Sequence, residues 1–326
     1  MSGESPTRVC VVGCGAVGSL FAAHLARLEE VEVFAYDLDR PHVEAINRDG
    51  LRIVGREQLV ARVQASDDAG AIPPCDYGIV ATKGYHTASA IAATAPLFDE
   101  GAVASVQNGV GNEELIARHV RRVILGTTFP AGHLVAPGVV EMDTGGDTWI
   151  GPFGQDESLM PAVRRLADLL TRAGMPTLAL ADARGAQWTK LVFNAATNPV
   201  GALTGLSHGR VCERPDLRAL VSGLIAEGVA VATALGIELD SDPEKLVGHA
   251  AEVAYEHRAS MLQDVSARRR TEIDTLNGGI AELGRRHGVA TPLNEAIAAL
   301  VHGLEASYGA SGATQVAVDT SGEGTG

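Results

Sequence analysis

The 326-residue sequence predicts an α/β protein in which an N-terminal doubly wound sheet is followed by an all-helical C-terminal domain. A glycine-rich turn lies between the first two short apolar segments. Further apolar segments then alternate with helical ones up to about residue 180, which is typical of a parallel sheet. Beyond Asp182 the strand signals fade and the remaining pattern is helical.

Residues 8–37 carry the clearest motif. A β-branched apolar strand at residues 8–12 runs directly into glycines with G-x-G-x-x-G spacing, and a second strand at 31–36 ends at an acid. The first glycine permits a tight turn, the second lets a pyrophosphate approach the backbone, and the third lets helix pack on strand. The acid can bind the adenosine ribose hydroxyls. The predicted Rossmann-like cofactor site comprises Gly13, Gly15, Ala16, Val17, Gly18 and Asp37; the alternative is a glycine-rich turn in another α/β fold.

The remaining elements of the first domain follow in order. Predicted helices lie at residues 41–47, 86–97, 113–119 and 157–173, and predicted strands at 77–81, 102–106, 123–129 and 177–180. Two short apolar stretches at 49–55 and 59–64 predict a small inserted strand pair. Turn signals within residues 133–151 predict an antiparallel extension.

The second half of the chain predicts helices at residues 186–198, 215–235, 243–261, 271–287 and 292–305. Three prolines stand near helix starts, where the missing N–H costs little: Pro215, Pro243 and Pro292. We therefore expect a dinucleotide-binding domain at 1–181, a helical domain at 182–310 and a disordered tail at 311–326.

Composition limits the function classes. A net charge of −14 argues against a nucleic-acid-binding surface. The sequence has no apolar run of membrane-spanning length, and its first residues lack the layout of a signal peptide, so we expect a cytoplasmic protein without membrane partners. Its four cysteines show no metal-like pairing, and we expect no metal site.

Ligands of open α/β sheets bind beyond the carboxyl ends of the strands. Two polar pairs, Thr82-Lys83 and Gln107-Asn108, follow predicted strands directly. Lys83 could face a cofactor phosphate or a substrate carboxylate, and Asn108 could hydrogen-bond the cofactor. The alternative for each is a solvated loop residue.

A second candidate site lies on the helix at 186–198. Lys190, Asn194 and Asn198 recur at intervals of four and therefore share one face of an otherwise apolar helix, which Pro199 is expected to end or kink. The lysine could instead snorkel to solvent, but two asparagines in register argue for a function. Farther on, Thr271 with Asp274 predicts a helix cap that would place Glu272 in a first helical turn. A solvated ion-pair face is the alternative there.

The chain resembles the ketopantoate reductase (2-dehydropantoate 2-reductase) family in motifs that fall in order over residues 8–308: VVGCGAVGS, ATK, QNGVGNEE, KLVFNAATNP, SMLQDV and RRTEIDTLNG. The resemblance implies a substrate cleft between the two domains and reduction of ketopantoate to pantoate, a step towards pantothenate and coenzyme A. It further implies catalytic roles for Lys190 and Glu272. Substrate contacts are implied for Asn194, Asn198 and Ser260, and cofactor-side positions for Lys83 and Asn108.

Two positions depart from the family pattern. Many members carry a basic residue suited to NADP after the second strand, whereas this chain has Asp37, Leu38 and Asp39 before Arg40. We expect NADH to be favoured over NADPH, because the Asp37 carboxylate would repel the extra phosphate; Arg40 argues the other way. His257 stands where some members have asparagine.

Alternatives remain open at this point. A paralogous reductase of another 2-oxo acid would share the same motifs. A non-catalytic dinucleotide-binding regulator would need neither Lys190 nor Glu272. The expected partner is a small-molecule 2-oxo acid, and the helical domain could also form a homodimer face.

Overall fold

The main sheet of the computed structural model, which describes residues 5–310, has eight strands. They are β1 (Thr7–Val12), β2 (Val31–Tyr36), β5 (Gln64–Ser66), β6 (Tyr77–Val80), β7 (Ala102–Ser105), β8 (Val123–Thr128), β11 (Thr148–Pro152) and β12 (Thr177–Ala179). Their order across the sheet is β12-β11-β8-β7-β6-β1-β2-β5, and neighbours are parallel except β8 and β11. The predicted fold class is confirmed.

Helices cover both faces of this sheet: α1 (Ala16–Leu25), α2 (Arg40–Asp49), α3 (Thr87–Thr94), α4 (Asn112–Ile116) and α5 (Met160–Arg172). Alternate residues of β1 point to opposite faces. Val9 and Val11 pack into a core with Leu20 of α1, and Val12 packs into another with Ile91 of α3. Burial on both faces explains the continuous apolar sequence of these strands.

A second sheet has four strands in the order β4-β3-β10-β9: β3 (Leu51–Gly55), β4 (Leu59–Ala61), β9 (Ala131–Ala136) and β10 (Val139–Thr144). The predicted strand pair and the predicted antiparallel extension are thus parts of one sheet. β10 joins them by pairing with β3 in parallel, whereas β3–β4 and β9–β10 are antiparallel. The segment predicted at 59–64 is also divided, because β4 belongs to this sheet and β5 to the main one.

The C-terminal region is helical: α6 (Arg184–Thr204), α7 (His208–Cys212), α8 (Pro215–Ala234), α9 (Pro243–Val253), α10 (Ser260–Ser266), α11 (Asn277–His287) and α12 (Pro292–Ala310). Within the described residues, α8 alone is long and apolar enough to cross a membrane. Its Val221, Leu224 and Val231 lie in the core of the helical region, and core helices commonly pass the same test. The chain leaves the main sheet at Ala179 and enters α6 at Arg184, beside the expected domain boundary. The expected tail at 311–326 lies outside the described residues.

Pro199 does not end α6, so that part of the expectation is wrong. The helix runs on to Thr204 and is capped by Gly205 in the left-handed conformation. Proline removes the N–H that would bond the carbonyl four residues earlier, which is Ala195. Asn277 of α11 donates to that carbonyl instead, at 2.8 Å in a buried position. A tertiary hydrogen bond thus replaces the missing helical one.

Two other helix predictions are also wrong in part. The predicted helix at 243–261 is two helices, because the backbone between them is bound elsewhere: Tyr255 and His257 carbonyls accept from the N–H groups of Gly209 and His208. The predicted helix at 271–287 begins only at Asn277. Residues 271–276 form a turn, and Asp274 binds Arg270 and His302 rather than capping a helix.

Candidate active site

Five strands of the main sheet deliver the candidate residues to one edge. Asp37 follows β2, the glycine turn follows β1, and Lys83 and Asn108 follow β6 and β7, each with two intervening positions. Thr128 ends β8. Because β8, β7, β6, β1 and β2 are adjacent and parallel, these groups form a row at their carboxyl ends, where α/β sheets bind ligands.

The glycine turn has the shape that an anionic group requires. A Cβ on Gly13 would lie 2.5 Å from Thr82 Cγ2, and one on Gly18 would lie 2.0 Å from the Gly13 carbonyl oxygen. A Cβ on Gly15 would meet no described atom within 4 Å. Gly15 caps α1 without a side-chain acceptor, and the first turn of that described helix has no acidic residue. The turn therefore leaves helical N–H groups available to a phosphate, which fits a dinucleotide.

Asp37 is fixed against this turn. Its Oδ2 accepts from the backbone N–H of Cys14 at 2.7 Å, and its Oδ1 accepts from the N–H of Asp39 at 2.9 Å. Arg40 is turned away into an exposed ion pair with Asp67 at 2.7 Å. The Asp37 carboxylate, and not the Arg40 guanidinium, therefore lies beside the glycine turn.

Lys190 reaches this edge from α6. Its ammonium donates to Asn108 Oδ1 at 2.9 Å and to the Thr128 carbonyl oxygen, and it lies 5.5 Å from the centre of the Phe129 ring. Burial lowers the pKa of Lys190 to about 8, against a smaller opposing effect of Glu272. The ammonium is therefore held at the strand ends with a proton that it can release near neutral pH.

Asn108 connects Lys190 with Glu272. While its Oδ1 accepts from Lys190, its Nδ2 donates to Glu272 Oε2 at 3.2 Å. The other carboxylate oxygen of Glu272 accepts from the Gly84 N–H at 3.2 Å, and the side chain is 8% exposed. Glu272 is thus placed by a turn and by two loops of the sheet, not by a helix.

Lys83 forms an ion pair between the sheet edge and the helical region. Its ammonium lies 2.7 Å from Asp264 Oδ2 and 3.6 Å from Glu272 Oε2. Asp264 is buried and also pairs with Arg269 at 3.1 Å. Burial by itself lowers the pKa of Lys83, but the Glu272 and Asp264 carboxylates outweigh it and raise that pKa above its ordinary value. Lys83 stays charged at neutral pH.

The remaining predicted residues lie farther along α6. Asn194 and Asn198 are buried, on the same helical face as Lys190. Ser260 is exposed at the start of α10, which packs on α6. Beside them is an aromatic stack, in which Phe193 and His208 ring centres are 5.7 Å apart and those of His208 and His257 are 5.4 Å apart.

Comparison with known proteins identifies the family. Residues 9–155 match the family model described as "Ketopantoate reductase PanE/ApbA", and residues 182–305 match the model of its C-terminal region. A curated 2-dehydropantoate 2-reductase of Pyrococcus horikoshii is 35% identical over 93% of this chain and 99% of its own length. That of Pyrococcus abyssi is 33% identical over the same shares. The chain belongs to the ketopantoate reductase family.

Solved structures of this family agree. A PanE/ApbA family ketopantoate reductase from Ralstonia eutropha has a TM-score of 0.84 and 31% identity, over 92% of this chain and 99% of its own. A D-mandelate dehydrogenase solved with NADH and anilino(oxo)acetate has a TM-score of 0.86 and 26% identity, over 93% of this chain and 100% of its own. The chain is therefore an oxidoreductase of the ketopantoate reductase family with a dinucleotide-binding fold.

Sequence reasoning gave no role to Thr128, Phe129 and Asp264, all of which contact a predicted residue of this candidate site. The rule that pointed to Lys83 and Asn108 applies equally to the end of β8 and could have found Thr128. Asp264 has no comparable signal, because its partner Lys83 is 181 residues away along the chain.

Proposed function

We propose that this protein reduces ketopantoate to pantoate with a reduced nicotinamide cofactor. The observation that carries the proposal is the position of Lys190, whose ammonium is held at the strand ends by Asn108 and Thr128. The names of the curated relatives support the substrate. The glycine turn supports a dinucleotide, and NADH is present in the D-mandelate dehydrogenase structure.

The proposed mechanism gives Lys190 two tasks. When bound, the reduced nicotinamide supplies the hydride that reaches the ketone carbon. Negative charge then develops on the ketone oxygen, where the Lys190 ammonium stabilises it and donates the proton that completes the alcohol. An ammonium has three N–H groups. Asn108 and Thr128 accept from two of them, and the third is proposed to serve the ketone oxygen.

The other residues are proposed to orient the reactants. Glu272 holds the amide of Asn108 in the orientation that accepts from Lys190, so we assign it a positioning role. Asn194, Asn198 and Ser260 are the proposed contacts for the carboxylate and distal hydroxyl of the substrate. Lys83 supplies a positive charge towards the cofactor or substrate carboxylate, although it shares that charge with Asp264.

We further propose that NADH is preferred over NADPH. Both carboxylate oxygens of Asp37 are held by backbone N–H groups, so the carboxylate cannot turn away without losing two hydrogen bonds. A phosphate on the adenosine ribose would meet this charge. Arg40, which could neutralise that phosphate, is paired with Asp67. The protein is also proposed to be cytoplasmic, since its cysteines are free thiols, as suits a reducing compartment.

One observation favours a second substrate candidate. The stack of Phe193, His208 and His257 is an aromatic surface beside the Lys190 face of α6. Burial lowers the pKa of His208 to about 4, and His257 adds to the effect, so His208 is neutral at pH 7. Such a surface would suit a 2-oxo acid with a flat apolar group, and the D-mandelate dehydrogenase neighbour was solved with a compound of that kind.

A substrate panel tests these proposals. Ketopantoate, 2-oxoisovalerate and benzoylformate would each be assayed with NADH and with NADPH, and kcat/KM compared. The highest kcat/KM for ketopantoate supports the first proposal, and the highest value for benzoylformate supports the second. Turnover of none of them, with cofactor binding retained, would refute both.

A further inference from the structure

A buried carboxyl group lies close to the proposed catalytic lysine but has no role in the mechanism above. Glu113 of α4 is 2% exposed, and its Oε1 accepts from Gln187 Nε2 at 3.1 Å. Gln187 lies on α6 three residues before Lys190, hence on the same side of that helix. Glu113 therefore binds the helix one turn before the lysine.

A chain of hydrogen bonds leads from Glu113 back to Asn108. The Ser105 hydroxyl is close enough to the Glu113 carboxyl to lower its pKa, and this hydroxyl donates to Gln107 Oε1 at 3.3 Å. Gln107 Nε2 donates to Thr87 Oγ1 at 2.7 Å. The chain ends with two further bonds: Thr87 Oγ1 donates to Asn112 Oδ1 at 3.0 Å, and Asn112 Nδ2 donates to the Asn108 carbonyl at 3.1 Å.

These groups are separated from water. Thr87, Ser105, Gln107, Asn112 and Gln187 are each at most 6% exposed. A buried polar network is stable only when its members are satisfied, and it then holds its members in one arrangement. Because the side chain of Asn108 accepts from Lys190, the network contacts both the helix that carries the lysine and the backbone of the residue that binds its ammonium.

The direction of the bonds depends on the protonation of Glu113. Ser105 has a single O–H. When Glu113 is neutral, its own hydroxyl can donate to Ser105, and Ser105 can then donate to Gln107. When Glu113 is ionised, Ser105 must donate to the carboxylate instead, and Gln107 Oε1 loses its donor.

We propose that Glu113 is a positioning residue for Lys190: in its neutral form it completes a one-directional hydrogen-bond chain from Gln187 on α6 to the backbone of Asn108. The proposal deepens the proposed function and rests on the role given there to Lys190. Burial raises the pKa of Glu113 to about 7, so the neutral form is well populated at neutral pH. The groups that act on this carboxyl are Glu114 on its own helix, Ser105 on β7 and Gln187 on α6.

The test uses the protonation of Lys190 as well as catalysis. The chain has three lysines, Lys83, Lys190 and Lys245, so the pH dependence of amine acylation can be followed at each by mass spectrometry. Glu113→Leu breaks the chain, Glu113→Gln retains it without a titrating proton, and Glu114→Leu is the matched control on an exposed neighbour.

In Glu113→Leu we expect kcat to fall roughly tenfold or more with little change in KM for the cofactor, since a displacement of about 1 Å can cost about 10²-fold. The acylation midpoint of Lys190 should fall below its wild-type value, because Asn108 no longer holds the ammonium. Glu113→Gln should restore both quantities. Glu114→Leu removes a charge that raises the Glu113 pKa but keeps the carboxyl itself, so it should change both quantities much less than Glu113→Leu does. A destabilised fold alone would not shift the midpoint selectively at Lys190.

If Glu113→Leu does not fold, Thr87→Val interrupts the same chain with an isosteric side chain and should give the same changes. An unchanged kcat and an unchanged Lys190 midpoint in a folded chain-breaking variant would overturn the proposal. The midpoint measurement needs no substrate. Absence of turnover with every 2-oxo acid would therefore refute the proposed function, whereas the midpoint measurement would still test the role of Glu113.

Discussion

Replacement of Lys190 by methionine tests the centre of the proposed mechanism. Methionine keeps much of the apolar stem but removes the ammonium that Asn108 and Thr128 hold. Positioned general acids contribute about 10²–10⁴-fold to a rate. We therefore expect Lys190→Met to lower kcat by at least about 10²-fold, with cofactor binding retained because the glycine turn lies on β1 and α1, away from α6.

The pKa of Lys190 gives the same prediction a pH signature. With a pKa of about 8, roughly nine-tenths of the lysine is protonated at about pH 7, and the protonated fraction then falls about tenfold per pH unit above about 8. Because the reaction consumes this proton, the wild-type kcat should decline along that alkaline limb. The residual activity of Lys190→Met should lack the limb.

The melting temperature of Lys190→Met distinguishes a loss of catalysis from a loss of folded protein. Burial lowers the pKa of Lys190 below its ordinary value of 10.5, so the folded state disfavours the charged form. The resulting cost to stability is fully present below about pH 8 and disappears as the pH rises through 10.5. At neutral pH, Lys190→Met should therefore leave Tm unchanged or higher.

The assay follows loss of NADH absorbance at saturating 2-oxo acid, with cofactor affinity measured separately by fluorescence. Lys245→Met, on the exposed side of α9, is the matched control and should keep the wild-type kcat. A near-normal kcat in Lys190→Met, or an alkaline limb that survives the substitution, would remove Lys190 from the role of general acid.

Three further predictions follow from single positions. Wild-type protein should show higher kcat/KM with NADH than with NADPH. Asp37→Ser should lower the ratio of these two kcat/KM values by about tenfold, equivalent to about 1.4 kcal/mol. If kcat/KM in the wild type is already higher with NADPH, Arg40 and not Asp37 would be the ribose-side residue. Gly15→Ala should keep the wild-type Tm but weaken cofactor binding, whereas Gly18→Ala should lower Tm, because its Cβ would lie 2.0 Å from a carbonyl oxygen; equal melting temperatures would contradict this geometry. His257→Asn should shift the kcat/KM ratio towards ketopantoate and away from benzoylformate, and a ratio unaffected by the substitution would mean that the aromatic stack does not contact substrate.

Local patterns in the sequence were enough to predict the fold class and to select most residues of the candidate site. The glycine turn, the strands before Lys83 and Asn108, and the face shared by Lys190, Asn194 and Asn198 are all recognised within about 25 residues of chain. Each depends on backbone conformation or on the period of a single element, which neighbouring residues largely determine.

Helix boundaries were predicted less well where a distant residue intervenes. Pro199 would end an isolated helix, but α6 continues because Asn277 binds the Ala195 carbonyl that the proline leaves free, across 82 positions of chain. Glu272 has the sequence context of a helix start, yet it lies in a turn. Its carboxylate there accepts hydrogen bonds from Gly84 and Asn108. In both cases a tertiary contact decides against the local preference.

The sequence by itself determined that a phosphate-binding turn, an acid after the second strand and a lysine-bearing helix are present. Only the tertiary structure decided what those groups bind: Asn108 holds Lys190 from 82 residues away, and Asp264 holds Lys83 from 181 residues away. The physical reason is range. Periodicity and turn propensity arise between near neighbours and leave a pattern in the sequence, whereas a hydrogen bond between distant residues requires only one suitable atom at each end and leaves none.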